Sequence, residues 1–233
     1  MPALETSLDV RSEAFEKNRA DMQDLLNVMN GLLAEAAEGG GPEAMARLRS
    51  QNKMPIRERI AHVLDRDSPF LEISPLAAWR SPFAVGSGFV VGIGVIESVE
   101  CLILGHDPSV RAGAFNQFNS KKLMRGLQIS RENRLPYIQF VESAGADLRG
   151  QGSDEDPEEA IQREIGHFAE SGRLFYEITE LSKMGIPTVS LVFGASTAGG
   201  AYQPGMSDYN ILIKNQSRAV SYTHLTLPTN REV

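Results

Sequence analysis

GASTAGGAYQP, residues 194–204, directly follows the apolar run IPTVSLVF at residues 186–193. Three glycines and three alanines leave almost no side chain there to act as acid, base or nucleophile. A strand that hands over to such bare backbone marks a place where the chain itself does the binding. Small residues allow close approach, and the first N–H groups of a helix opening near Ala198 lack intrahelical partners. A second stretch, ESAGADLRG at residues 142–150, leaves the apolar run PYIQFV in the same way. Ligands of parallel sheets bind beyond the carboxyl ends of the strands, so two such exits predict one site. If an N–H of Ala144 or Gly145 converges with one of Gly199 or Gly200, the pair forms an oxyanion hole without side chains. The chemistry suited to it builds negative charge on a carbonyl oxygen. The same residues also fit a plainer role, letting a helix pack closely on the sheet.

Outward from these turns, strand and helix alternate. GFVVGIGVIES and ECLILGHD read as an antiparallel strand pair across a short polar turn. NSKKLMRGLQISRENR is helical and leads into PYIQFVES, QREIGHFAESGRLFYEITELSKM leads into GIPTVSLVFG, and YNILIK supplies a further strand. The architecture is therefore α/β with mainly parallel central strands. Ahead of it lies an amphipathic helix over Glu13–Glu38, apolar at Phe15, Met22, Leu25, Leu26, Met29, Leu32 and Leu33 and stopped by GGGP. It packs on its own domain or on a neighbouring subunit. Two shorter helices, PEAMARLRSQNK and PIRERIAHVLD, carry Arg47, Arg49, Lys53, Arg57 and Arg59, which either solvate helix faces or meet a phosphorylated ligand.

Composition narrows the function. The 233 residues carry a formal charge of −7 and no basic stripe, which argues against a nucleic-acid partner. The single cysteine, Cys101, lies in the apolar run CLILG as a core thiol, and excludes disulfides and a multi-cysteine zinc site. The carboxylates of residues 154–159 do not match a recognised cation loop, so no metal site is assigned. No apolar segment approaches a membrane span, and the acidic start is unlike a targeting peptide, so the expected place is cytoplasmic. Neither turn reads G-x-G-x-x-G, no P-loop is present, and Ser143 and Ser196 lack the G-x-S-x-G frame of a hydrolase nucleophile. His62, His106, His167 and His224 lie far apart. Glu142 and Asp147 flank the first turn as acid, base or cap.

The ordered segments ARLRSQNKMPIRERIAHVLDRDSPFLEISPLA, GFVVGIGVI, ENRLPYIQFVESAGADL and FYEITELSKMGIPTVSLVFGASTAGGAYQPGMSD resemble the N-terminal half of biotin-dependent acyl-CoA carboxyltransferases. These are the β subunits of acetyl-, propionyl- and methylcrotonyl-CoA carboxylases. The resemblance runs from about Gly41 to Arg218. It implies a crotonase-like (ClpP/crotonase) fold of repeated ββα units, here behind an N-terminal helical extension. Three segments are expected: residues 1–40 as helix and linker, 41–220 as an N-terminal carboxyltransferase domain incomplete at its end, and 221–233 as a tail of foreign character.

By the same resemblance, a carboxyl group passes from carboxybiotin, carried on a separate domain, to the α-carbon of an acyl-CoA, with no metal in this subunit. Biotin carboxylase and carrier subunits are the implied partners, together with trimers or hexamers of the full-length protein. The family's turn usually reads Asp-Ser-Gly-Gly-Ala-Arg, and here it is Glu142 to Asp147. Ala144, Gly145, Gly199 and Gly200 are the implied oxyanion residues, Ala144 with Gly199 the preferred pair. Ser143, Ala146, Ala198 and Ala201 line the substrate, and Lys53 and Arg57 hold CoA phosphates. Because the family continues into a second domain where this chain has SYTHLTLPTNREV, the chain reads as truncated and inactive alone. The competing readings are a crotonase-type CoA hydratase or isomerase, with Glu142 as its carboxylate, and a non-catalytic assembly subunit.

Overall fold

The computed structural model describes residue 6 and residues 8–147 and 172–220. The polar loop at 150–160, His167, the front of the expected helix over 162–184, and the tail with His224 lie outside the described residues.

Helix α1 spans Glu13–Glu38, the range set by its apolar period. Ser12 caps it by accepting from Phe15 N at 3.2 Å, and Gly39 ends it at φ 57°. Its apolar face stands in solvent in the single chain: Met22, Leu25, Val28 and Met29 are exposed, and only Ala36 near its end is buried. It therefore does not pack lengthwise on its own domain. The glycines after it are tied down, since Gly40 N donates to Ser109 Oγ at 3.0 Å. Helices α2 (Gly41–Ser50) and α3 (Ile56–Val63) follow.

Among the described residues the sheet has seven strands. Strands β1 (Leu71–Glu72), β2 (Phe89–Ile96) and β3 (Val99–His106) pair antiparallel in order. Strands β4 (Tyr137–Ser143), β5 (Thr188–Thr197) and β6 (Tyr209–Leu212) continue parallel beside β3, and β7 (Arg218–Val220) pairs with the far end of β5. Parallel neighbours need a crossover, and α4 (Gln117–Asn133) provides that between β3 and β4. Helix α4 opens with a capping box in which Asn116 and Asn119 satisfy each other's backbone. Helix α5, described over 172–183, leads into β5.

Strand alternation divides the core between the two faces of the sheet. Leu102, Leu104 and Tyr137 face α4 and α5, where Leu123, Leu127, Leu174, Ile178 and Leu181 complete one cluster. Cys101, Ile103 and Phe140 face the other way and bury Ile56 and Ile60 of α3. Burial, the largest influence, raises the Cys101 thiol pKa, with nearby Asp65 adding to it, as suits an inert core thiol. Helices thus cover both faces, and the carboxyl ends of β4 and β5 meet at one edge of the α4–α5 layer.

Candidate active site

Ser143 and Ser196 are register partners on neighbouring parallel strands, so the two small-residue exits leave the sheet side by side. Contact between them is close enough to limit side-chain size. A Cβ on Gly145 would lie 3.3 Å from Thr197 O, and one on Gly200 would lie 3.2 Å from Ser143 Oγ. Gly145 also needs its hydrogen for its own backbone, at φ 92°.

The two exits lie side by side, but the amides expected to converge there are used differently. Ala144 N donates to Ala112 O at 3.0 Å, which commits the amide of the preferred pair to a neighbouring 3-10 turn, Arg111–Gly113. Gly145 N donates to Ser143 Oγ at 3.1 Å. The next residue differs: the Ala146 amide has no hydrogen-bond partner among the described residues, and Ala146 is exposed. Its flanks are pinned, with Phe115 N donating to Gly145 O at 2.8 Å and Asp147 N to Phe115 O at 2.9 Å.

The second exit also departs from expectation. Instead of an α-helix, a four-residue 3-10 turn, Ala198–Ala201, opens it, followed by the four-residue α6 (Tyr202–Gly205). So short a piece carries little macrodipole, and what remains useful are its individual amides. A 3-10 turn closes its first bond three residues on, so Ala198 and Gly199 keep amides with no partner inside the turn. Gly199 is exposed with open space where a Cβ would be, whereas Gly200 is buried against Ser143. Gly200 thus reads as a packing glycine and Gly199 as a presenting one. Ser196 Oγ donates to Gly200 O at 2.8 Å and Ser143 Oγ accepts from Gly145 N, so each hydroxyl braces one of the turns. Ala201 is half-buried behind them.

Ala146, Ala198 and Gly199 lie at one end of a cavity of about 490 Å³ between α4 and α5. Phe115, Leu123, Met124, Leu174 and Phe175 make its wall mainly apolar, and Lys121, Arg125 and Arg173 also line it. Lys121 and Arg125 are exposed and one helical turn apart. Their neighbour Lys122 instead points into the core, where its ammonium donates to Phe89 O at 2.7 Å.

Lys53 and Arg57 are elsewhere. Arg57 grips Glu72 through both guanidinium nitrogens, at 2.6 and 3.0 Å, and Lys53 pairs with Glu142. Glu142 itself points to the α3 face, away from the cavity. One oxygen bonds Lys53, the other accepts from the buried Arg59 at 2.9 Å, and Arg59 lies 4.4 Å over the Phe193 ring. Both carboxylate oxygens are committed, so Glu142 is not placed to act on a ligand of this cavity. His106 is buried between Phe89, stacked at a 4.4 Å centroid distance, and Phe115.

Sequence reasoning missed Ala112, which takes the Ala144 amide, and the cations Lys121 and Arg125. The pair KK within NSKKLMRG was the available signal, but both lysines stand at helical spacing from Arg125, and only the packing separates exposed Lys121 from buried Lys122.

The exits of two parallel strands of an α/β fold thus meet an apolar cavity lined at its rim by exposed cations. The chain belongs to the carboxyl transferase domain family, whose profile matches residues 47–224. It is 45% identical over 215 residues to a probable biotin-dependent acyl-coenzyme A carboxylase beta2 subunit of Mycobacterium tuberculosis, covering 92% of this chain and 38% of that protein. It is 37% identical over 216 residues to a probable mitochondrial methylcrotonoyl-CoA carboxylase beta chain of Drosophila melanogaster, covering 91% of this chain and 36% of that one. The beta subunit of geranyl-CoA carboxylase from P. aeruginosa superposes with a TM-score of 0.83 at 35% identity, over 95% of this chain and 40% of its own. The fold is therefore crotonase-like, as the resemblance implied. The chain spans about two fifths or less of the length of these relatives.

Proposed function

We propose that this chain forms the acyl-CoA part of the carboxyltransferase site of a biotin-dependent acyl-CoA carboxylase. The observation that carries the reading is the meeting of the two strand exits at the cavity, which Ala146 and Gly199 both line, the Ala146 amide without a partner among the described residues and Gly199 with open space at its Cβ position. When the α-proton of an acyl thioester leaves, charge moves onto the carbonyl oxygen, and preorganised donors there stabilise the enolate more than the ground state. The expected pair of Ala144 and Gly199 becomes Ala146 and Gly199, with Ala198 as neighbour. Gly145 sets the turn, and Ser143, Gly200 and Ala201 hold the two exits together. Lys121 and Arg125 take the role first given to Lys53 and Arg57, meeting CoA phosphates at the rim by charge-assisted bonds.

The bare backbone fits a reaction whose base comes from outside the protein. Carboxybiotin, delivered on a separate carrier, supplies the carboxyl group and the base. The chain's own residues bind the thioester, hold its oxygen and keep the α-carbon open on one side. A biotin carboxylase and a carrier subunit, trimeric or hexameric assembly, and a cytoplasmic place complete the proposal; among the described residues no helix is long and apolar enough to cross a membrane.

Transfer of labelled carboxyl from a carboxylated biotin carrier to acyl-CoA tests the reading, with crotonyl-CoA hydration run beside it. Label in the acyl-CoA that depends on Gly199 supports it. Hydration of crotonyl-CoA without carboxyl transfer overturns it in favour of a hydratase.

A further inference from the structure

Strand β4 sends an amide into the apolar layer beneath α4 and α5. Gln139 stands two residues along from Tyr137, so it faces the same side of the sheet. It is fully buried, as are Ser190, its register partner on β5, and Gln203 on α6. Burying an amide costs stability unless new bonds replace those to water. Gln139 Nε2 meets three acceptors: Ser190 Oγ at 2.7 Å, Ser207 Oγ at 2.9 Å and Gln203 O at 3.1 Å. A carbonyl only accepts, so the nitrogen rather than the oxygen of Gln139 has to face Gln203 O, which fixes the orientation of the amide. Its oxygen has no hydrogen-bond partner among the described residues, so the bonding of this side chain goes into one link. The hydroxyls complete it, with Ser190 Oγ and Ser207 Oγ 2.6 Å apart and Ser207 Oγ donating to Gln203 O at 2.8 Å.

The link joins β4 and β5 to α6, and α6 continues the 3-10 turn that carries Gly199. A helix of four residues does not hold itself. Residues 198–208 leave the sheet after Thr197 and return before Tyr209. The outgoing end is braced at Gly200 by Ser196, and the returning end by Asp208, whose Oδ2 accepts from Thr188 N at 2.8 Å. Between these braces Gln139 grips α6 at the Gln203 carbonyl and again at Ser207. Hydrogen bonds are directional where apolar contacts slide, so the link sets the tilt of α6 and with it the direction of the Gly199 amide.

We infer that Gln139, with Ser190 and Ser207, is a positioning residue of the carboxyltransferase site, acting through α6 on the Gly199 amide. This role rests on the reading that Gly199 holds the thioester oxygen. A donor stabilises the enolate only when aimed at it, so a small rotation of the turn lowers kcat more than it weakens binding of the CoA portion.

Carboxyl transfer from a carboxylated biotin carrier by a reconstituted carboxylase tests the role. Acetyl-, propionyl- and 3-methylcrotonyl-CoA are offered, and the best acceptor of the wild type is carried forward. Gln139→Met keeps the length of the side chain and loses the donor. It is expected to lower kcat about tenfold or more, with KM changed less than about threefold. In a Gly199→Pro background the same change is expected to cost less than about twofold, because the amide it aims is gone. A purely structural Gln139 would cost the same in both backgrounds. Should Gln139→Met not fold by circular dichroism, Ser207→Ala and Ser207→Thr serve instead; Thr, which keeps the hydroxyl, is expected to retain kcat where Ala loses it. Equal losses in the two backgrounds, a folded Gln139→Met with unchanged kcat, or equal activity of the two Ser207 variants overturns the inference and leaves the proposed function standing. Gly199→Pro without loss of kcat removes Gly199 from the site, and this role with it. Label in no acceptor with the wild type removes the proposed function as well.

Discussion

Replacing Glu142 by Ala removes the carboxylate that, among the described residues, pairs with both Arg59 and Lys53. The Arg59 side chain is 3% exposed and that of Lys53 21%, so the consequences for the two cations differ. Lys53 reaches water by a change of rotamer. Arg59 stays buried, and its contact over Phe193 at 4.4 Å is present before and after the change, so it offsets nothing. Removing one partner of a buried pair typically costs about 3–5 kcal/mol. Because Lys53 escapes, we place Glu142→Ala near the lower end, about 3 kcal/mol. Arg59→Met in the same chain should recover much of this loss, since an apolar group of similar volume replaces a buried ion pair at little cost. Urea unfolding of the wild type, both single variants and the double variant gives the coupling directly. A loss below about 1 kcal/mol for Glu142→Ala, or a double variant no more stable than it, refutes the reasoning.

Other consequences follow from the same structure. Gly199→Pro removes an oxyanion donor and should lower kcat about 10²–10³-fold in a reconstituted carboxylase, whereas Gly199→Ala, which meets open space, should keep most activity; equal effects would remove the amide from the site. Burial, the largest influence, lowers His106 to about pH 3 from 6.5, so the unfolded chain binds the proton first as pH falls. Its share of stability is therefore complete above about pH 6.5 and declines toward pH 3; between pH 7 and 4 the wild type should lose up to about 3 kcal/mol more than His106→Leu in urea unfolding. Gly113 has φ 68°, and a Cβ there would collide with the Glu142 carbonyl, so Gly113→Ala should cost at least about 2 kcal/mol and loosen the turn that holds Ala144.

Much of the fold was legible because its elements are encoded locally. The 26 residues of α1 carry their own cap, period and stop, and the eight-residue strands β2 and β3 announce their hairpin by an apolar run on each side of Glu97 and Ser98. The α/β class followed from alternation. The site was legible only to the level of the two exits. Small residues at 142–147 and 194–201 point to close backbone approach, but composition does not say which N–H remains free. Lys53 and Arg57 look like phosphate ligands in the sequence, and only their pairing with Glu142 and Glu72 removes them.

By itself, then, the sequence determined the N-terminal helix, the central strands, the family and the two backbone turns, because each is written in residues near one another, whereas the helix expected at Ala198 is a 3-10 turn. The tertiary structure decided which atoms within those turns are available. Ala144 loses its N–H to the carbonyl of Ala112, and Glu142 turns from candidate base to structural ion because Arg59, 83 residues earlier, is buried against it. A free amide or a free carboxylate is defined by what fails to reach it, and that depends on every segment packed around it rather than on its neighbours in the chain.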